Sequence, residues 1–266
     1  MATVHTLDVP GAHLHYEVRG TGPLLLVMGS PMNASAFAPV ADALAADHTV
    51  VTLDPRGISN SRLDDPAQES TPDLRADDVA AILDDLGAPD ADVFGSSGGA
   101  VTGLALVTRH PARVRTLVAH EPPLLDLLPD AAERHAGTEA IIATFHRDGV
   151  GAAWMEFMSV AGYDTDGDDG APDFEPTEED LANSARFFAH ELRGTTRYVP
   201  DLAALRAGRV VVGIGVESGK LLTHRTSTAL ADRLGTTPVE FPGDHGGFIG
   251  APVEFAEALR KVLATA

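Results

Sequence analysis

The strongest constraint on the fold is an alternation of short apolar runs with amphipathic segments through the first 123 residues. A continuous apolar run bounded by glycines, such as 23–28, is typical of a strand buried on both faces. Segments with helical spacing, such as 35–46 and 98–111, separate these runs. Strands and helices that alternate with short connections predict parallel strands with right-handed crossovers. We therefore expect an α/β fold with a mostly parallel sheet flanked by helices.

The alternation is interrupted once, between residues 124 and 205. This segment contains helical patterns and an acidic, glycine-rich stretch but no strand pattern, and the alternation resumes at 209–216. A helical insertion between two strands of one sheet predicts a cap over the edge where open α/β sheets bind ligands. We predict a core made of residues 1–123 and 206–266, with a helical cap of residues 124–205.

Composition narrows the classes of partner. The 266 residues carry a formal net charge of −20 and no cysteine, which excludes disulfides and a thiol nucleophile. So acidic a surface repels nucleic acids and anionic lipids, which favours a neutral or apolar small-molecule substrate and no nucleic-acid or membrane partner. The start has no signal-peptide pattern and no apolar stretch is long enough to cross a bilayer, so we expect a soluble, cytoplasmic protein. The oligomeric state is not indicated.

The turn between the predicted strand 91–95 and the predicted helix 98–111 carries a candidate nucleophile. It reads GSSGG, which is G-x-S-x-G in the strand–turn–helix context that gives this pattern its meaning. A sharp turn of this kind lifts the hydroxyl of its central residue, Ser97, above the sheet at the start of a helix. Ser96 stands at the variable position. The alternative is an ordinary turn serine between flexible glycines.

A serine nucleophile needs a base and donors for the oxyanion. His245 lies in a glycine-rich loop after the predicted strand 238–241, at the same sheet edge as Ser97, and is the candidate base. The alternative is a solvated loop histidine. The backbone N–H of Gly98 is one candidate oxyanion donor. Ser30, in the loop after strand 23–28, is the other, with Gly29 as second choice.

Four segments together resemble the α/β-hydrolase superfamily of serine hydrolases, in its esterase and lactonase branch. They are VMGSP (27–31), LDPRGISNS (53–61), GSSGGA (95–100) and PGDHGGF (242–248). The resemblance implies the α/β-hydrolase fold and a catalytic triad, with no metal and no organic cofactor. Met28 stands where the usual pattern of that loop has histidine.

The triad acid departs from the usual pattern. Most members carry an aspartate after the strand that follows the cap, and there the chain offers only Glu217, one residue out of register. Glu121, in HEPP at the end of the strand before the cap, is similar to the glutamate of the zearalenone lactone hydrolases and to the acid position of some haloalkane dehalogenases. We favour Glu121, with Glu217 as the second choice. Either carboxylate would fix the tautomer of His245.

The resemblance also bears on substrate and reaction. Haloalkane dehalogenases and epoxide hydrolases use aspartate where this chain has Ser97, so an ester or lactone carbonyl is the better target. We expect Met28, Met32, Trp154 and Phe188 to line the substrate pocket, although cap aromatics could equally form the core of the cap. A cofactor-free perhydrolase or haloperoxidase, a C–C bond hydrolase and a weakly catalytic ligand-binding protein remain alternatives.

One acidic cap segment, 164–175, imitates a calcium-binding loop. Acidic residues fall at its first, third, fifth and twelfth positions, as in such loops. Asp169 replaces the glycine required at the sixth position, and Pro172 stiffens the loop. We predict an acidic cap loop and no metal site.

Overall fold

The computed structural model describes residues 2–164 and 176–265. The prediction made for the acidic segment 164–175 therefore lies outside the described residues, apart from Asp164. The strands are β1 (Thr3–Val9), β2 (Ala12–Arg19), β3 (Leu24–Met28), β4 (Thr49–Leu53), β5 (Arg62–Leu63), β6 (Ala91–Ser96), β7 (Val114–His120), β8 (Val210–Gly215) and β9 (Val239–Phe241).

The helices lie between and after these strands, and two of them are only four and five residues long. They are α1 (Ala38–Leu44), α2 (Pro72–Asp85), α3 (Gly98–Arg109), α4 (Ala131–Asp148), α5 (Val150–Ala161), α6 (Glu178–His190), α7 (Leu192–Thr196), α8 (Leu202–Ala207), α9 (Leu222–Leu234), α10 (Gly247–Gly250) and α11 (Pro252–Thr265). In the part of the chain described, no helix is both long and apolar enough to cross a membrane.

The strands form one nine-stranded sheet in the order β1-β2-β4-β3-β6-β7-β8-β9, with β5 paired to β2. Every pair from β4 to β9 along this order is parallel, whereas β2 is antiparallel to β1, β4 and β5. The predicted mostly parallel sheet flanked by helices is confirmed. The sequence did not single out β5, because a pair of two residues is too short to leave a periodic pattern.

Helices cover both faces of the sheet because its central strands are apolar on both sides. In β3, Leu26 and Met28 pack toward α2 and α3, whereas Leu25 and Val27 pack toward α1 and α11. This period of two divides the buried side chains into two clusters, one on each face. The second cluster contains stacked and edge-on aromatic rings, among them Phe255 of α11.

Helices α4 to α8 lie between β7 and β8, in the segment that the sequence predicts to be a cap, and this segment has a small apolar core of its own. Its apolar cluster comprises Ile141, Ile142, Ala153, Phe187, Phe188 and Leu192. The predicted boundary at residue 205 falls inside α8, however. Leu205 belongs to the cluster beneath α2 and α3, and α8 contacts α3 and α9. Helix α8 therefore packs with the core. It directly precedes β8, so it lies next to the sheet that β8 joins.

The aromatic cluster on the α11 face makes a direct prediction for stability. Phe255→Ala should lower the free energy of unfolding by about 3–5 kcal/mol, because it leaves a cavity among Phe94, Phe241 and Phe248. Urea unfolding followed by far-ultraviolet circular dichroism measures the change. Val253→Ala, on the exposed side of the same helix, serves as the control and should stay within about 0.5 kcal/mol of wild type. Equal losses in both variants would contradict this view of the packing.

Candidate active site

The turn from β6 into α3 holds Ser97 in a backbone conformation that side chains rarely adopt, with φ of 56° and ψ of −123°. The flanking glycines make this possible. A Cβ on Gly95 would lie 2.4 Å from the carbonyl oxygen of Gly99, and a Cβ on Gly99 would lie 2.4 Å from that of Met28. The backbone N–H of Ser97 donates to the carbonyl of His120 at 2.9 Å. The turn is therefore fixed from both neighbouring strands, as a strained functional residue requires.

His245 lies in the loop between β9 and α10, at the carboxyl edge of the sheet. The loop approaches the strand ends closely: a Cβ on Gly247 would lie 2.0 Å from the carbonyl of Pro242, and one on Gly215 would lie 2.7 Å from that of Asp244. The Nδ1 atom of His245 lies 2.7 Å from Oε2 of Glu121. Only 18% of the His245 side chain is exposed.

Glu121 follows β7 directly and its side chain is fully buried. Its backbone φ is 52°, which turns the chain sharply at the strand end. Besides His245, the carboxylate accepts the backbone N–H of Gly215 at 2.9 Å and the hydroxyl of Thr223 at 2.9 Å. Glu217, the second choice for the acid, is exposed. The structure thus brings Glu121, and not Glu217, to the histidine.

The charge state of Glu121 follows from these contacts. Burial acts to raise its pKa, but the hydrogen bond and the charge of His245 outweigh burial and lower the pKa from 4.5 to about 2. An ionised carboxylate can only accept hydrogen bonds, so Nδ1 of His245 is the donor. The Nε2 atom of a neutral His245 then carries the lone pair, which is the tautomer that a general base needs.

A second histidine, His120, lies beside this pair. It is completely buried, and burial lowers its pKa to about 3, so its ring is neutral at physiological pH. Its Nδ1 lies 3.1 Å from the hydroxyl of Ser96, and its ring centroid lies 6.2 Å from that of His245. His120 therefore packs against the pair without adding a positive charge to it.

Ser97 and His245 line the same cavity, which we call the main cavity, of about 70 Å³. Ser30 and Gly98, the candidate oxyanion donors, line it as well. These two residues touch, since a Cβ on Gly98 would lie 2.7 Å from the carbonyl oxygen of Ser30. Neither backbone N–H donates a hydrogen bond within the described residues. Ser30 and Gly98 thus border the same cavity as Ser97, and both of their backbone N–H groups are unpaired within the described residues.

The rest of the main cavity is mostly apolar. Its other lining residues are Pro123, Phe157, Ala161, Tyr163, Phe187, Leu192, Thr195, Thr196 and Thr223. An adjoining side cavity of about 50 Å³ shares six of these residues and extends beneath α4. Within residues 2–164 and 176–265, no group of three or more histidine and acidic side chains is arranged to hold a metal ion.

The four side chains expected to line the pocket lie elsewhere. Met28 is buried beneath α2 and α3, and Phe188 lies in the core of the cap. Trp154 packs against Phe187 and Phe188, and together with Met32 it borders a second groove, between residues 31–33 and the helices α5 and α6. Phe188 is completely buried among the other aromatic side chains of the cap, so it is not available to line the main cavity.

All the cap side chains that line the main cavity, apart from Tyr163, come from three helices. Phe157 and Ala161 belong to α5, Phe187 belongs to α6, and Leu192 and Thr195 belong to α7. The sequence marked the aromatic content of this segment, but helical spacing alone cannot separate the face turned to the sheet from the face turned to a neighbouring cap helix. Nothing in the local pattern distinguishes Thr195 from a surface threonine.

Comparison with known proteins gives consistent matches. A family model described as the alpha/beta hydrolase fold matches residues 22–153. The uncharacterized hydrolase YraK of Bacillus subtilis (strain 168) is 38% identical over 268 residues, which cover 97% of this chain and 95% of that protein. Zearalenone hydrolase of Bionectria ochroleuca is 36% identical over 139 residues, 50% of this chain and 53% of that protein. The solved structure of a thermophilic esterase from Thermogutta terrifontis has a TM-score of 0.74 at 21% identity, covering 100% of this chain and 98% of that one.

The lowered pKa of Glu121 predicts a pH-dependent contribution to stability. A carboxyl with a depressed folded pKa stabilises the protein above its unfolded pKa of 4.5, and this contribution is lost as the pH falls toward about 2. The difference in unfolding free energy between wild type and Glu121→Gln should therefore shrink by about 1.5 kcal/mol from about pH 6 to about pH 3.5. Urea unfolding at the two pH values measures it. Glu217→Gln is the matched control, and a pH-independent difference for Glu121→Gln would contradict the prediction.

Proposed function

The chain belongs to the α/β-hydrolase family and is a hydrolase of that family, and we propose that it cleaves a carboxylic ester or lactone through an acyl-enzyme on Ser97. Membership confirms the fold and the family resemblance expected from the sequence. The observation that carries the proposal is that the candidate nucleophile, base and oxyanion donors all line the main cavity. Ser97, His245, Ser30 and Gly98 border the same cavity, and Glu121, outside the cavity lining, is hydrogen-bonded to His245.

The chemistry begins with proton transfer from the Ser97 hydroxyl to Nε2 of His245 as the oxygen attacks the carbonyl carbon. Glu121 stabilises the imidazolium that forms. The negative charge that develops on the carbonyl oxygen is held by the backbone N–H groups of Ser30 and Gly98. His245 then returns the proton to the leaving alcohol as the C–O bond breaks, which leaves an acyl group on Ser97.

Water completes the cycle by the same steps. His245 takes a proton from a water molecule as its oxygen attacks the acyl carbonyl, and gives that proton back to Ser97 as the acid product leaves. For a lactone the alcohol and the acid belong to one molecule, so the first step opens the ring and the second releases a hydroxy acid.

The substrate class follows from charge and lining. The main cavity is bordered mostly by apolar side chains, and the protein as a whole has a formal net charge of −20. Both favour a neutral or apolar substrate over an anion. The partial match to a protein named zearalenone hydrolase supports a hydrolase. The small volume of the main cavity favours short acyl groups.

Ser97→Ala should reduce kcat/KM for p-nitrophenyl acetate and butyrate by at least about 10³-fold, because it removes the nucleophile. Release of p-nitrophenol measures the rate. Ser96→Ala is the matched control: it removes the neighbouring hydroxyl, which bonds to His120, and should retain activity within about tenfold. Activity unchanged in Ser97→Ala would reject the nucleophile. Absence of turnover in the wild type across a range of esters and lactones, with binding retained, would favour a ligand-binding protein.

The acid is tested by a pair of matched variants. Glu121→Gln should lower kcat by about 10³-fold or more, because the amide no longer stabilises the imidazolium. Glu217→Gln should leave kcat within about twofold, because Glu217 is exposed. The same p-nitrophenyl esters provide the measurement, with thermal unfolding to verify that both variants are folded. A loss of turnover confined to Glu217→Gln would assign the acid to that residue.

A further inference from the structure

The side chains of Ser30 and Glu191 form a buried polar contact between the cap and the loop after β3. We call residues 29–33 the β3 loop. The hydroxyl of Ser30 donates to Oε2 of Glu191 at 2.7 Å. Ser30 is 3% exposed and Glu191 is 1% exposed. Glu191 stands at the junction of α6 and α7, so a cap residue holds a loop of the core that is 161 positions away in the chain.

A carboxylate this deeply buried requires compensation, and Arg75 of α2 provides it. The guanidinium Nη1 of Arg75 lies 3.8 Å from Oε2 of Glu191. Burial raises the pKa of Glu191, while the positive charge of Arg75 and the hydrogen bond from Ser30 oppose that rise. Breaking such a pair by removing one partner leaves an uncompensated buried charge, which strongly destabilises a protein.

The same guanidinium is held by three further elements. Its Nε donates to the hydroxyl of Thr102 at 2.9 Å, its Nη1 donates to the carbonyl of Ser70 at 2.6 Å, and its Nη2 donates to the hydroxyl of Thr195 at 2.9 Å. Thr102 in turn donates to the carbonyl of Gly98 at 3.0 Å. Arg75 therefore connects indirectly to both candidate oxyanion residues and directly to the cap helix α7.

We propose that Glu191, held in place by Arg75, is a positioning residue that fixes the backbone N–H of Ser30 for the oxyanion through the Ser30 hydroxyl. This inference rests on the proposed function. An oxyanion donor must lie within about 3 Å of the developing charge, and a shift of about 1 Å can cost about 10²-fold in rate. Glu191 accepts a hydrogen bond from the Ser30 hydroxyl, and this bond restrains the residue whose backbone N–H would bind the oxyanion.

The test removes the hydrogen bond from each side. Ser30→Ala keeps the backbone N–H but loses the hydroxyl. It should lower kcat about 10- to 100-fold on p-nitrophenyl butyrate with KM within about threefold. The affinity for butaneboronic acid, which forms a tetrahedral adduct on a serine nucleophile, should weaken by a similar factor. Ser61→Ala is the matched control, because Ser61 is also buried and its hydroxyl donates to the carbonyl of Asp54 at a distance of 2.7 Å. Ser61 does not line the main cavity.

Glu191 is tested with two substitutions. Glu191→Gln retains an acceptor for the Ser30 hydroxyl, so kcat per folded molecule should stay within about threefold of wild type, whereas stability should fall because the buried charge of Arg75 loses its partner. Glu191→Leu should lose activity as Ser30→Ala does. A Glu191→Leu protein that does not fold leaves the comparison of Ser30→Ala with Glu191→Gln intact. A Glu191→Gln protein as slow as Ser30→Ala would overturn the role of the hydrogen bond.

A structural role without positioning has a different signature. In that case Ser30→Ala would lose stability as Ser61→Ala does, while kcat and boronate affinity per folded molecule would stay within about twofold of wild type, and the inference would be overturned. Failure of the proposed function is separate, because it appears as activity retained in Ser97→Ala. Loss of activity in Ser97→Ala together with full activity in Ser30→Ala would reject only the positioning role of Glu191.

Discussion

The hydrogen bond between the buried carboxylate of Glu121 and Nδ1 of His245 is the interaction on which the arrangement of the site depends. A carboxylate without exposure is stable as an anion only if donors surround it. Here the donors come from the end of β8, from α9 and from the loop after β9. The need to satisfy one charge thereby brings three separate segments together at the carboxyl edge of the sheet. The positive φ of Glu121 turns the strand end so that its side chain reaches them.

Close backbone approach is the second constraint, and glycine supplies it at a few positions. The turn around Ser97 and the loop around His245 each have backbone carbonyls where a Cβ would stand, at Gly99 and at Gly247. Because both segments press against strand ends, Ser97 and His245 have little freedom to move relative to the sheet. A rigid support of this kind is what proton transfer over a short distance requires.

The sequence predicted what depends on local pattern and missed what depends on distant contacts. Apolar runs and helical spacing were enough for the parallel sheet, and G-x-S-x-G in its context located the turn at Ser97. The packing of α8 with the core has no sign in the local pattern, because the side on which a short helix packs is a tertiary property. Glu191 was missed because a glutamate at the end of an amphipathic helix has the pattern of a solvated residue, and its partners Ser30 and Arg75 are far away in the chain.

The separate core of the cap has a practical consequence. Trp154 is the only tryptophan of the chain, and it packs face to face on Phe187 with its indole N–H bonded to Ser184. Its ultraviolet emission therefore reports on the environment of the cap alone, while the sheet contributes no indole signal. Tryptophan fluorescence and far-ultraviolet circular dichroism, measured in the same unfolding experiment, can thus distinguish unfolding of the cap from unfolding of the whole protein without a label.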